Sequence, residues 1–448
     1  MRGRHVAVRT TAPAPRYHLT YRHGTAPFQE RAAPAPAAHC CCDGLTRPVL
    51  LAWSAIGVRT AGRVFFRKLA GDGRVKAVAS SLTAVAAAAI TAAPWAYTRS
   101  MTAWARVLAV CILLPVAALS VFRAVPAEWP TTVVQLLSFT PWLVIPAALA
   151  LALALPGRRP VVTAAAGLIL GAQLFWLWAP DAGRADAGPP DTGQAAGTVG
   201  TAASRTGTAA QLRVMSINSL FGRADAAEIV RLVRENRVGL LAIQEHTQAL
   251  EDRLAAEGLG KLLPHRISDP GKKASGSATY SKHPLEAIGL VPDTPFRMPT
   301  FRLTLSEAGA GTTVTLEVTN VHAFPPVHDR VGQWRSDLKA LGRLAARNGV
   351  EARGNQLLLG DFNATYDHSE FRRLLDGGPG SRKLVDVGMA SGTRFTPTWP
   401  MDGQALPGVT IDHLVTSPHI PASGYAVHRV TGTDHAAVLA TLHIPAGG

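Results

Sequence analysis

Six short polar motifs stand at the ends of apolar runs in the second half of this chain, each able to bind a cation, hold an anion or move a proton. In order they are Asn218, Gln244-Glu245, Asn320-Val321-His322, Gly360-Asp361-Phe362-Asn363, Asp412-His413 and Asp434-His435. Carboxylate and amide oxygens are hard donors of the kind magnesium takes, through one or two carboxylates with several waters retained. Acid–imidazole pairs fix a histidine tautomer and set its basicity. Hydrolysing a phosphoester requires a neutralised phosphoryl group, an oriented water and a stabilised leaving oxygen, and this set of residue types suits that work. Taken singly, each motif also reads as an ordinary strand end or turn, where Asp and Asn are common. The signal lies in their order and in the repeated placement.

The elements that must position them are legible as alternating patterns from Leu212 onward. Leu212–Asn218 and Val238–Gln244 read as buried strands around an amphipathic helix at about Ala224–Asn236. Thr312–His322 alternates with period two, and Gln333–Arg347 carries Trp334, Leu338, Leu341 and Leu344 at helical spacing. Asn355–Gly360, Thr410–Thr416 and His435–Ile444 are further short apolar strands. Many strands with few helices suit two packed sheets covered by helices, with residues 211–448 as one domain. Every motif falls where an apolar strand gives way to a loop, so all can converge on one rim.

In order and wording these motifs resemble the endonuclease/exonuclease/phosphatase superfamily, of deoxyribonuclease I-like fold, from about Leu212 to Ile444. The resemblance implies an α+β fold: a four-layer αββα sandwich of two packed mixed sheets flanked by helices. It implies Asn218, Glu245 and Asp434 as ligands or support for Mg2+, with Mn2+ as the alternative ion. By the same resemblance Asp361 and Asn363 orient the attacking water and contact the phosphate, and Asp412 holds His435 in one tautomer. His435 then serves as general base or phosphate clamp, and His322 donates a hydrogen bond or proton on the leaving side. The chain departs from the pattern at Gly239, where an acidic residue outside the catalytic set is common. His283, His328 and His413 match no family position, and His328 and His413 are read as loop and strand residues. Tyr280 is read as packing, and Arg297 and Arg302 as part of a solvated face.

The remainder of the chain sets the location. The net charge of +15 invites a polyanion as partner, but it is unevenly placed. Residues 1–100 hold 14 Lys/Arg against 3 acids, whereas residues 211–448 hold 25 against 23, so the candidate catalytic part has no strong attraction for nucleic acid. Residues 101–180 contain three apolar stretches, at about 107–122, 133–155 and 161–178, read as three transmembrane helices. Arg99 and Arg106 precede the first, and Arg158 and Arg159 sit between the second and third. Because Lys and Arg favour the cytoplasmic side, the N-terminus reads as cytoplasmic and everything after Trp178 as extracytoplasmic. Residues 181–210, rich in Gly, Ala, Pro and Thr, read as a flexible linker that lets the domain turn. Residues 1–100 read as a disordered leader, or as sequence preceding a native start near Met101, with Ala-rich 77–97 a candidate fourth span. Cys40, Cys41 and Cys42 are adjacent and Cys111 is isolated, which leaves no disulfide framework.

Three spans followed by such a domain resemble actinobacterial membrane proteins typified by the teicoplanin-resistance protein. The expected function is therefore a membrane-anchored, divalent-metal-dependent phosphoester hydrolase in the cell membrane. Its expected substrate is a lipid-linked or envelope phosphate outside the cytoplasm, with nucleic acid disfavoured and no protein partner inferred. The alternatives are a surface-anchored magnesium-dependent nuclease and, from another class, an inactive binding domain contributing to glycopeptide resistance.

Overall fold

The structure is a computed structural model that describes residues 102–157, 159–178, 208–306, 313–351, 354–377, 383–403 and 407–445. The leader with its candidate span at 77–97, and residues 181–207 of the linker, lie outside the described residues.

Among the described residues, two helices are long and apolar enough to cross a membrane: α1 (Thr102–Ala124) and α4 (Pro160–Trp178), with mean hydropathies of 2.3 and 1.7. Between them α2 (Thr131–Leu137) and α3 (Val144–Ala154) form a pair bent by 71° across a short 3₁₀ turn at Thr140–Leu143. The second apolar stretch is thus broken rather than straight. Pro141 at the start of the turn lacks the N–H that would continue the helical ladder. Leu113 of α1, Ala150 of α3 and Ala166 of α4 pack together, and Gln173 of α4 donates to Ser120 of α1 at 2.8 Å. Small side chains that let backbones approach, joined by a buried polar contact, are the usual means by which helices associate in lipid.

The C-terminal part is built from two six-stranded mixed sheets. The first runs β11-β12-β1-β2-β4-β3 and the second β5-β6-β7-β8-β10-β9. The first sheet contains β1 (Thr208–Asn218), β2 (Leu240–Gln244), β3 (His265–Asp269), β4 (Ser277–Ser281), β11 (Ala422–Arg429) and β12 (Ala436–Pro445). The second contains β5 (Leu285–Leu290), β6 (Pro299–Ser306), β7 (Thr313–His322), β8 (Asn355–Asp361), β9 (Val385–Asp386) and β10 (Asp412–Thr416). β1 starts inside the stretch read as linker because Thr208 pairs with Pro445 at the far end of β12.

Each sheet has one parallel pair at its heart, β1 with β2 and β7 with β8. Each pair is joined through a helix, as parallel strands require: α5 (Ala226–Glu235) in the first, α8 (Val331–Glu351) in the second. Asp225 caps α5 by accepting from Glu228 N at 2.9 Å. Leu212, Val214, Phe301, Leu303, Leu316, Val318, Leu357, Leu359 and Leu414 fill the space between the sheets. Burying each such side chain contributes roughly 1.5–3 kcal/mol. The outer face of the first sheet is covered by α5, α6 (Gln248–Ala256) and α7 (Leu259–Leu262). The second is covered by α8, α9 (Ser369–Asp376) and the short α10 (Val387–Ala390). The layering is therefore helix, sheet, sheet, helix, as expected from the strand pattern.

The membrane helices and this sandwich are joined by buried contacts. Arg123, at the end of α1, donates from Nε to Asp367 Oδ1 at 2.7 Å, both side chains under one-tenth exposed, and stacks over Trp176 of α4. Arg394 reaches the same carboxylate at 3.2 Å and the Trp176 carbonyl at 2.9 Å. His368 Nε2 lies 2.8 Å from the Val134 carbonyl, and Arg372 donates to the Arg123 carbonyl at 3.2 Å. Breaking a buried ion pair costs about 3–5 kcal/mol because one charge is left without its partner. We expect Arg123→Met to raise amide hydrogen exchange around Asp367 in the detergent-solubilised chain while exchange in the inter-sheet core stays as in the parent. Unchanged exchange at Asp367 would mean that Arg394 alone holds that carboxylate.

Candidate active site

The parallel pairs decide where the chemistry sits. Parallel strands end side by side, so β1 and β2 deliver Asn218 and Gln244 as neighbours, and β7 and β8 deliver His322 and Asp361. Antiparallel neighbours bring in the remainder: Asp412 opens β10 opposite Asp361, and Asp434-His435 immediately precede β12. Asn218, Glu245, His322, Asp361, Asn363, Asp412 and His435 are brought together at this rim through the contacts described below.

Two backbone features aim the acids. Glu245 leaves β2 with φ +55° and Asn363 follows Asp361 with φ +48°, a left-handed turn that redirects the chain sharply at each strand end. Gly360 has φ +144°, and a Cβ there would lie 2.0 Å from the Val321 carbonyl. Only glycine lets β8 approach β7 so closely beside the site. Below this layer Gln244 Nε2 donates to Asn320 Oδ1 at 2.8 Å, a buried cross-sheet bond that fixes both strand ends.

Asn218 is the hub. Its Nδ2 donates to Asp361 Oδ2 at 3.0 Å and to Glu245 Oε1 at 3.3 Å, while its Oδ1 accepts from Leu220 N at 3.1 Å. Glu245 Oε2 accepts from Phe221 N at 2.8 Å. Asp361 Oδ1 accepts from Asn363 N at 2.8 Å, and Asn363 Nδ2 donates to the Ala323 carbonyl at 2.9 Å. The Nε2 atoms of His322 and His435 each stand 3.8 Å from Asp361 Oδ2, beyond hydrogen-bond distance, so both ring edges face the same space. His435 Nδ1 meets Asp412 Oδ2 at 2.9 Å, the carboxylate–imidazole pairing expected from the sequence.

The buried charges are unequal. Burial alone would lower the basicity of His435, but the Asp412 and Asp361 carboxylates raise it to about 10, so the ring carries a proton at neutral pH. Burial, with His435 nearby, drives His322 down to about 3 and keeps it neutral. Burial pushes Asp361 up to about 7 despite His435, and pushes Glu245 upward against the Phe221 and Asn218 hydrogen bonds. Burial penalises the ionised forms of these acids, and an added positive charge would offset that penalty against the opposing charge of His435.

A potential divalent-metal coordination site is present. Asp361, Asp412 and His435 offer ligand atoms within 4.8 Å of one another. Within that group His435 is engaged with Asp412 and protonated, whereas a metal takes imidazole only in its neutral form. The carboxylate oxygens of Glu245 and Asp361 are the hard donors beside it, both bonded by Asn218 Nδ2, while Asn218 Oδ1 accepts from Leu220 N. Asp434 adds a further indication. Its Oδ2 accepts from Trp399 Nε1 at 3.0 Å, while its Oδ1 is buried with no hydrogen-bond partner, as an oxygen reserved for a cation would be. The residues present fit magnesium or manganese.

Several residues that support the site were not read from the sequence as part of it. Phe296 stacks on the His322 ring at 4.4 Å between centroids and itself stacks on Phe324. Trp399, in a Thr/Pro-rich loop, orients Asp434. Trp334 of α8 donates to the Asn363 carbonyl at 3.0 Å, so the periodic apolar face of that helix also steadies the site. His246, wholly buried next to Glu245, is held by Glu251 at 3.2 Å. The residues set aside behave as read. Tyr280 is buried in the core, and Arg297 and Arg302 pair with Asp269 and Glu286 at the surface.

His413 faces away from the catalytic set and pairs with Asp386 at 2.6 Å. Burial lowers its basicity, but Asp386 more than compensates, so its folded-state pKa is raised. A histidine raised on folding stabilises the fold fully below its unfolded pKa, about 6.5, and that contribution is lost as pH rises through the folded value. We expect thermal stability to decline across that window. Asp386→Asn, which can still cap α10, should flatten the decline; an unchanged pH dependence in this variant would remove His413 as its source.

Residues 215–435 match the model of the Endonuclease/Exonuclease/phosphatase family. Among solved structures, truncated TDP2 from Caenorhabditis elegans is similar at 18% identity, covering 52% of this chain and 98% of that one, with a TM-score of 0.40. Endonuclease/exonuclease/phosphatase family proteins are also similar: one from Bacteroides thetaiotaomicron at 14% identity, covering 52% and 98%, with a TM-score of 0.37. Another, from Beutenbergia cavernae, is 17% identical, covering 54% and 72%, with a TM-score of 0.37. No curated protein matches the chain.

Proposed function

We propose, on the premise that residues 215–435 belong to the endonuclease/exonuclease/phosphatase superfamily, that this chain is a metal-dependent phosphoesterase hydrolysing a lipid-linked or envelope phosphate outside the cytoplasmic membrane. The observation that carries the reading is the convergence of three acids, two amides and two histidines on one rim, with Asn218 bonded to both Glu245 and Asp361. A bound magnesium ion would neutralise phosphoryl charge and polarise the ester. Glu245 and Asn218 would hold it, with Asp434 supplying its unpaired oxygen or its field.

The chain's own groups do the rest. Protonated His435, braced by Asp412, clamps an anionic phosphoryl oxygen. Asp361, with a pKa near neutrality, accepts a proton from the attacking water, and Asn363 keeps its carboxylate aligned. Neutral His322 hydrogen-bonds on the leaving side.

The helix arrangement supports an outward-facing site. The sandwich touches Arg123 at the end of α1, Val134 in α2 and Trp176 at the end of α4. The ends of α1 and α4 lie on one side, since Gln173 meets Ser120 near the C-terminal end of both helices. Two parallel helices joined in sequence favour a return crossing between them, which supports reading the bent pair as a span. Arg99 and Arg106 before α1 then favour a cytoplasmic N-terminus and an external domain. The near balance of charge after residue 211 disfavours a polyanion, and docking on the spans keeps the site near lipid.

The test is a phosphate-release screen on the purified full-length chain with magnesium, spanning lipid phosphates, pyrophosphates, soluble phosphoesters and DNA. The reading fails if Glu245→Ala and His435→Ala match the parent on every substrate. Turnover confined to DNA would replace the lipid reading with a nuclease, and no turnover at all would leave a binding domain.

A further inference from the structure

A cavity of about 330 Å³ lies between the membrane helices and the sandwich, within the roughly 300–1,000 Å³ typical of ligand sites. Its membrane wall is formed by Trp142, Ile145 and Leu177, and its domain wall by Tyr366, Met389 and Phe395. Trp142 and Ile145 are 47% and 60% exposed, and they lie in the segment read as spanning the bilayer, so the cavity opens toward hydrocarbon. Its other wall is carried by chain next to the site in sequence, Thr365 two residues after Asn363 and Thr410 two before Asp412. The His413–Asp386 pair, on the face of β10 turned away from the catalytic set, also lines it. The lining is mostly apolar, yet Arg394 stands in it with its guanidinium over Tyr366 at 4.7 Å and Phe395 at 5.0 Å. One end is lipid-facing and the walls are apolar, while Arg394 is already paired with Asp367 at 3.2 Å. The cavity therefore suits the hydrocarbon chain of an amphiphile whose anionic head lies outside it.

We propose that this cavity holds the hydrocarbon chain of a membrane lipid whose phosphate is presented to the adjacent site. The proposal rests on the phosphoesterase reading above and adds the element that selects the substrate. The sandwich is docked on the spans so that a lipid can keep its chain in an apolar space while its head leaves the bilayer plane. A soluble phosphoester would gain nothing from the cavity, and a lipid phosphate would gain the burial of its chain.

The experiment uses the full-length chain in phosphatidylcholine vesicles containing phosphatidic acid with a photoactivatable diazirine at one acyl terminus. Adducts are located by mass spectrometry. The expected result is labelling of Tyr366, Met389 or Phe395, which a lipid held only in the bilayer would not reach. It should be lost in the double variant Ile145→Trp with Leu177→Trp, which fills the cavity from the membrane side. Labelling of α1, and hydrolysis of a water-soluble phosphoester, should persist in that variant and show that it is folded. Labelling confined to the helices in the parent, or domain-side labelling unchanged by the filling residues, overturns the proposal. Labelling needs no turnover, so it is repeated in Glu245→Ala. Domain-side adducts without phosphate release from any lipid or soluble phosphoester would keep the cavity and sink the phosphoesterase reading. Lipid hydrolysis without those adducts would do the reverse.

Discussion

Glu245→Gln should lower magnesium-supported phosphate release by about a hundred- to a thousandfold, a loss of the size seen when a preorganised electrostatic contact to a transition state is removed. Glu245 is the acid that β2 delivers through a left-handed turn, with one oxygen taken by Phe221 N and the other facing Asn218. The amide keeps an oxygen for Phe221, so the loop keeps its shape while the site loses a charge. Burial and the nearby Asp434 make ionised Glu245 costly in the absence of a cation. Its role is therefore best measured as magnesium affinity. Calorimetric titration should show binding weakened in Glu245→Gln, with the thermal unfolding of the metal-free chain close to the parent's. Equal magnesium affinity and equal turnover would remove Glu245 from the metal's donors.

Much of the sandwich was readable from the residues because burial and chemistry leave different marks on a strand. Leu240–Ile243 and Leu357–Leu359 are apolar runs buried on both faces, and each gives way to polar residues with no packing reason to be there. That contrast located Glu245 and Asp361. The register between neighbouring strands was not readable, yet it is what places Asp412 opposite Asp361 and so next to His435. Nor was the support around the site. Phe296 reaches His322 from a loop, and a lone aromatic residue in a loop carries no periodic signal.

The docking of the membrane segment was equally hidden. Arg123 is separated by 244 residues from Asp367, and in sequence it is only a basic residue at the end of an apolar run. Hydropathy found the second apolar stretch but not its 71° bend, since apolar character averages over the window while the bend depends on where one proline falls.

Asp412→Asn separates the roles left open for His435. In hydrolases built on a Ser-His-Asp triad, replacing the acid by its amide costs about 10⁴-fold in kcat, because the ring is left in the wrong tautomer although its geometry is kept. Here Asp412 is first among the groups that raise His435 against burial, so the amide should leave the ring neutral at neutral pH. The backbone at Asp412 is held independently, its N–H donating to Thr398 Oγ1 at 3.1 Å, and His435 N donates to Thr433 Oγ1 at 3.1 Å. The local fold should therefore survive the substitution. If protonated His435 is a phosphate clamp, Asp412→Asn should cut turnover by about three to four orders of magnitude, and lowering the pH should restore part of it as the ring regains its proton. A neutral ring acting as general base gives the opposite slope, with activity falling further as pH drops. The pH profile of Asp412→Asn, with phosphate release as readout and His435→Ala as the floor, thus distinguishes clamp from base in a way that the loss of activity alone does not.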